Sequence, residues 1–78
     1  MNKITVIMNG DNGLREDIEI PTDITADVLL KALNNVYRSE KTPAAAIRTV
    51  NPLSYLCGNT RVEDARLHDG TEIYFVEE

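Results

Sequence analysis

Residues 25–38 read Thr25-Ala26-Asp27-Val28-Leu29-Leu30-Lys31-Ala32-Leu33-Asn34-Asn35-Val36-Tyr37-Arg38, and this stretch decides the fold. Leu29, Ala32, Leu33 and Val36 recur at i, i+3, i+4 and i+7, the spacing that lines up one face of an α-helix. Val28, Leu30 and Tyr37 widen that face, while Asp27, Lys31, Asn34, Asn35 and Arg38 gather on the other side. Thr25 is placed to cap the N-terminus, because its hydroxyl oxygen can accept from an N–H left unpaired in the first turn. Ile24 before it can pack one turn in as a hydrophobic staple on Leu29. Asp27 and Arg38 put charges of favourable sign at the two ends of the helix dipole. A helix with so broad an apolar face needs a sheet to lie on.

The flanking segments supply that sheet. Lys3 to Asn9 alternates Ile4, Val6 and Met8 with Lys3, Thr5 and Ile7, so it reads as a strand with the first set facing the helix. Asn9-Gly10-Asp11-Asn12-Gly13 is dense in residues that accept positive φ or bond their own backbone, and it makes a hairpin. Leu14 to Ile20 is the return strand, with Leu14, Ile18 and Ile20 on one parity and Arg15, Asp17 and Glu19 on the other. Glu16 interrupts the inward set, which predicts a bulge or a frayed start there. Pro21 ends the strand. After the helix, Ser39 to Pro43 is a polar stop, and the alanines 44–46 suit either helix or extension. Ile47 to Asn51 reads as a third strand, Tyr55 to Cys57 as a short fourth, 62–67 as one helical turn, and Glu72 to Val76 as the last strand, with Ile73 and Phe75 on one side and Tyr74 and Val76 on the other. The expected fold class is α+β: a single domain over residues 1–78, with a mixed four- or five-stranded sheet packed on one central helix at about Thr25–Arg38.

Composition narrows the function. The formal net charge is −5, the pI is about 4.7, and there are three lysines. That is unfavourable for phosphate-backbone binding, so no nucleic-acid partner is expected. Acidity suits a freely soluble protein or one that meets a basic partner. One cysteine, Cys57, and one histidine, His68, make neither a disulfide framework nor a zinc site. Stability must then come from packing. A lone cysteine, no signal-like N-terminus and no membrane-length apolar run together lead to an expectation of cytoplasmic location without membrane insertion.

No constellation for catalysis stands out. Cys57 lies in a short apolar strand and reads as a packed or edge thiol rather than an activated nucleophile. His68 precedes Asp69-Gly70 in a turn with no partner of catalytic type in sequence. Glu16, Asp17 and Glu19, and Glu63-Asp64, read as solvated carboxylates, since paired acids need a cleft to shift their pKa values. The 9–13 loop lacks both the Gly-Lys-Ser/Thr ending of a phosphate loop and the full ligand spacing of a calcium loop. The chain is expected to be no enzyme and to need no cofactor or metal.

The order and residues of these elements resemble the β-grasp, or ubiquitin-like, fold over nearly the whole chain. Ile20-Pro21-Thr22-Asp23-Ile24-Thr25 is similar to the segment leading into the ubiquitin helix. Val62, Leu67, Gly70 and Ile73 are similar to ubiquitin's run into its final strand. Within that group, Ile47-Arg48-Thr49-Val50-Asn51 and the stretch from Cys57-Gly58 to Asp69-Gly70 resemble the YukD/EsaB family of type VII secretion systems in Gram-positive bacteria. The resemblance implies a non-catalytic accessory or regulatory role. The implied partners are cytosolic domains of the secretion machinery's membrane proteins or its ATPase.

The alternative is a protein modifier or sulfur carrier, or a small subunit of a multicomponent enzyme such as an oxygenase. Modifiers and sulfur carriers present a thin Gly-Gly tail to an enzyme cleft. This sequence ends Phe75-Val76-Glu77-Glu78, and two residues past a strand reach only about 7 Å, which disfavours that version. The outer face of the sheet is the candidate for partner binding. Ile7, Arg48, Val50, Tyr74 and Val76 share outward parity and would form a mixed apolar and basic patch, provided the strand register is right.

Overall fold

The structure, a computed structural model, describes residues 2–77. β1 (Lys3–Asn9) turns through a short 3-10 segment (Asp11–Gly13) into β2 (Arg15–Pro21). Then come α1 (Ala26–Tyr37), β3 (Ala46–Val50), β4 (Ser54–Leu56), a 3-10 turn (Val62–Ala65) and β5 (Glu72–Val76). The strands form one mixed sheet in the order β2-β1-β5-β3-β4, with β1 and β5 parallel and the other pairs antiparallel. The fold is α+β, one helix on a five-stranded sheet. No helix among the described residues is long and apolar enough to cross a membrane.

The core lies between α1 and the inner face of the sheet. Val6, Met8, Ile47, Leu56 and Ile73 are at most 1% exposed, so the period-2 pattern of each strand delivers alternate residues to one side. Thr49 and Thr71 are also fully buried, and each hydroxyl is spent: Thr49 donates to the Pro52 carbonyl at 2.7 Å and Thr71 to the Asn51 carbonyl at 2.9 Å. Those bonds remove the penalty of burying an unpaired hydroxyl.

Thr25 caps α1, its hydroxyl accepting from the Val28 N–H at 3.4 Å. The helix, however, is rotated from the expected orientation. Its buried residues are Ala26, Leu29, Leu30 and Leu33, again at i, i+3, i+4 and i+7. Ala32 is exposed, and Val28 and Val36 are 55% and 68% exposed. Arg38, expected on the solvent side, is buried. Both stripes satisfy helical periodicity, and long-range bonds choose between them. At the N-terminal end the Ala26 N–H donates to the Thr60 carbonyl at 2.7 Å, and the Asp27 N–H to the Gly58 carbonyl at 3.0 Å. Near the other end the Asn34 amide clamps Ala44, accepting from its N–H at 2.9 Å and donating to its carbonyl at 3.2 Å. Arg38 follows by donating twice to the Thr42 carbonyl, at 3.1 and 3.0 Å, and pairing with Glu77 at 2.7 Å.

Three boundaries also differ from the sequence reading. β2 carries no bulge: Glu16 stands opposite Met8 in an unbroken register. Its carboxylate is tolerated at an inward position because the strand lies at the sheet edge, where it accepts a hydrogen bond from the Tyr37 hydroxyl. Ala46 joins β3, as the clamp on Ala44 holds that segment extended. β4 ends at Leu56, which leaves Cys57 exposed just beyond it rather than packed in the strand.

Candidate binding face on the outer side of the sheet

Because Ile47 and Thr49 point into the core, Arg48 and Val50 point out; the same alternation turns Tyr74, Val76 and Ile7 outward. The register puts these five on one surface. One row across the sheet runs Asp17, Ile7, Glu72, Val50, and the next runs Arg15, Asn9, Tyr74, Arg48, Tyr55. Val76 stands opposite Ala46 beside the second row. Each of the five is half-buried by its cross-strand neighbours.

The left half of this face is held by a polar network centred on Glu72. Its Oε1 accepts from Arg15 at 2.6 Å, from Asn9 at 3.4 Å and from the Tyr74 hydroxyl at 3.3 Å. The Arg15 hydrogen bond, against partial desolvation, holds the Glu72 carboxyl below the usual glutamate range. Tyr74 is thereby fixed at its hydroxyl end. The Arg48 guanidinium lies over the Tyr74 ring, 4.5 Å from its centroid, in cation–π contact. Among the described residues Arg48 makes no ion pair and no side-chain hydrogen bond. A cation is therefore fixed in position by a ring while its N–H donors remain uncommitted.

One member of this face and an exposed leucine in the turn leading to it escaped the sequence reading. Tyr55 lies directly opposite Arg48 and is 64% exposed, and Leu53 in the preceding turn is 72% exposed. Placing the fourth strand one residue late hid the parity of Tyr55; with Leu56 inward, Tyr55 has to face out. Together Arg48, Tyr55, Tyr74 and Val50 make a surface of two aromatic rings, a cation and an aliphatic, the composition favoured at the centres of protein interfaces.

The other polar candidates do not come together. His68 sits in its turn with Nδ1 2.9 Å from the Asp69 carbonyl. Glu63 pairs with Arg61 at 2.9 Å. Glu16 lies on the helix side of β2, whereas Asp17 and Glu19 lie on the outer side. No group of three His, Cys, Asp or Glu side chains among the described residues is arranged to hold a metal. The tail considered for conjugation falls partly outside the described residues, which exclude Glu78; Glu77 is tied to Arg38. No protein-family model matches the chain, and no curated protein is similar enough to it to count as a match.

Proposed function

We propose that this chain is a non-catalytic, ubiquitin-like adaptor or regulatory component of a bacterial type VII-like secretion system, and that it acts by binding a protein. A single helix lying across a mixed sheet in which the first and last strands run parallel supports the β-grasp reading. The YukD/EsaB assignment rests on the sequence resemblance around residues 47–51 and 57–70. The partner is a cytosolic domain of one of the machinery's membrane proteins or of its ATPase.

The observation that carries the binding reading is Arg48. An arginine stacked on Tyr74, flanked by exposed Tyr55 and without an anion partner among the described residues, is a preorganised anchor. Little side-chain entropy is left to lose when a partner's carboxylate or carbonyl meets it. Arg48→Glu combined with Tyr74→Ala is expected to abolish capture of secretion-machinery proteins from the native membrane and cytosol fractions, while circular dichroism shows the fold retained. Unchanged co-purification from the variant would reject this face. Recovery of an oxygenase component instead of secretion proteins would move the chain to the alternative class.

A further inference from the structure

The strand at one end of the sheet, β2, has no neighbouring strand on its open side among the described residues. The Gly10 N–H donates to the Leu14 carbonyl at 2.9 Å, and the Thr22 N–H to the Asn2 carbonyl at 3.0 Å. Both bonds continue the β1–β2 register, so the even-numbered residues of β2 spend their backbone groups on β1. In an antiparallel pair the alternate residues then turn theirs away. The N–H and C=O groups of Arg15, Asp17 and Glu19 thus project from the sheet edge as an unfilled template.

Beside that edge runs an apolar groove of about 390 Å³ between β2 and α1. Ile18, Ile24 and Leu33 contribute to its floor, and Val28, Ala32 and Val36 form its helix wall. The wall is the stripe that the rotation of α1 leaves uncovered. From Val28 to Val36 it is about 12 Å long, which matches four or five residues of an added strand.

Charge decides what fits. Asp17 and Glu19 point to the outer side of the edge, and neither is in an ion pair among the described residues. Arg15, the one base on β2, is already engaged by Glu72. Lys31 does not line the groove; it lines an adjoining depression that shares Val28 and Ala32 with it. A second copy of the chain is a poor occupant, because pairing two β2 strands would set these carboxylates against each other.

We propose that the β2 edge and the β2–α1 groove together bind an extended segment of another protein by strand addition, its apolar residues alternating with basic ones. The apolar residues enter the groove against Val28 and Val36. The basic residues, on the opposite parity, lie beside Asp17 and Glu19. Backbone pairing with Asp17 and Glu19 provides the register. The groove lies on the helix side of the sheet, and the β2 edge is separated from Arg48 on β3 by β1 and β5, so its test does not depend on that reading.

The probe is the acetylated, amidated heptapeptide Lys-Val-Lys-Ile-Lys-Val-Lys, titrated into the isotopically labelled full chain and followed by NMR. Expected are shift changes confined to residues 15–21 and to the Ile24, Val28, Ala32 and Val36 wall, with new exchange protection at the Asp17 and Glu19 amides. Val28→Lys with Val36→Lys, both at exposed positions, should weaken binding by about tenfold or more, the scale of losing a buried aliphatic contact. Asp17→Lys with Glu19→Lys should transfer preference to the peptide carrying Glu in place of Lys. The proposal is overturned if the groove variant binds as wild type does, if the acidic peptide binds the native chain equally well, if shifts map to the Arg48 face, or if no binding occurs. Self-association through β2, seen by sedimentation, would also overturn it.

Discussion

Two single substitutions on α1 separate the observed helix orientation from the one that periodicity alone suggests. Leu33 is 5% exposed and Val36 is 68% exposed, although both belong to the stripe expected inside. Leu33→Ala removes three carbons from the core. At roughly 0.8 kcal/mol per buried carbon this is about 2.4 kcal/mol of transfer free energy. The cavity left behind raises the total to about 3–4 kcal/mol. A domain of this length holds on the order of 4–12 kcal/mol in all, so the loss is a large share of it. At about 4–8 °C per kcal/mol it lowers Tm by roughly 12–30 °C. Val36→Ala removes two carbons that are mostly in water already, worth about 0.5 kcal/mol. Alanine's better helix propensity returns a similar amount, so the net change is about zero. Urea denaturation of both variants at pH 7 measures the difference. A Val36→Ala loss comparable to that of Leu33→Ala would show that the helix presents the other stripe to the sheet.

Two further outcomes follow from groups whose placement was not apparent in the sequence. Arg38→Met should cost about 2–4 kcal/mol in urea denaturation, because it leaves the Thr42 carbonyl without its two charged donors; Glu77→Gln, losing only an exposed partner, should cost under about 1 kcal/mol. The Tyr37 phenol, desolvated and donating to Glu16, is pushed up to about 12. Its folded value lies above the ordinary 10.0, so its stabilising contribution is complete below pH 10 and fades as pH rises towards 12. Alkaline absorbance titration should show one tyrosine ionising near that value, and Tyr37→Phe should delete that component; a component that persists in Tyr37→Phe would contradict the assignment.

Much of the architecture was written in local patterns. The strand 3–9, the Thr25 cap, the helical turn at 62–65 and the last strand 72–76 are each marked by a pattern inside the segment itself, although the strands hydrogen-bond to distant partners. Period-2 alternation also oriented Ile7, Arg48, Val50, Tyr74 and Val76 correctly, since burial of Val6, Ile47, Thr49 and Ile73 leaves their neighbours only one direction. Cross-strand order is another matter. That Tyr74 would lie under Arg48, with Tyr55 on its other side, required knowing that β5 sits between β1 and β3, and no local pattern encodes it.

What the amino-acid order determined by itself was therefore the set of elements and, for every strand but β4, its inner side. The tertiary structure alone decided which of two overlapping apolar stripes on α1 was buried, and so why Arg38 is inside and Val28 and Val36 are out. The two stripes are offset by three residues, a rotation of only about 60°, and each satisfies the same helical periodicity. The contacts that select the rotation, Asn34 to Ala44 and Ala26 to Thr60, join residues ten or more positions apart. The same rotation opens the groove beside β2, a surface created by the choice between stripes.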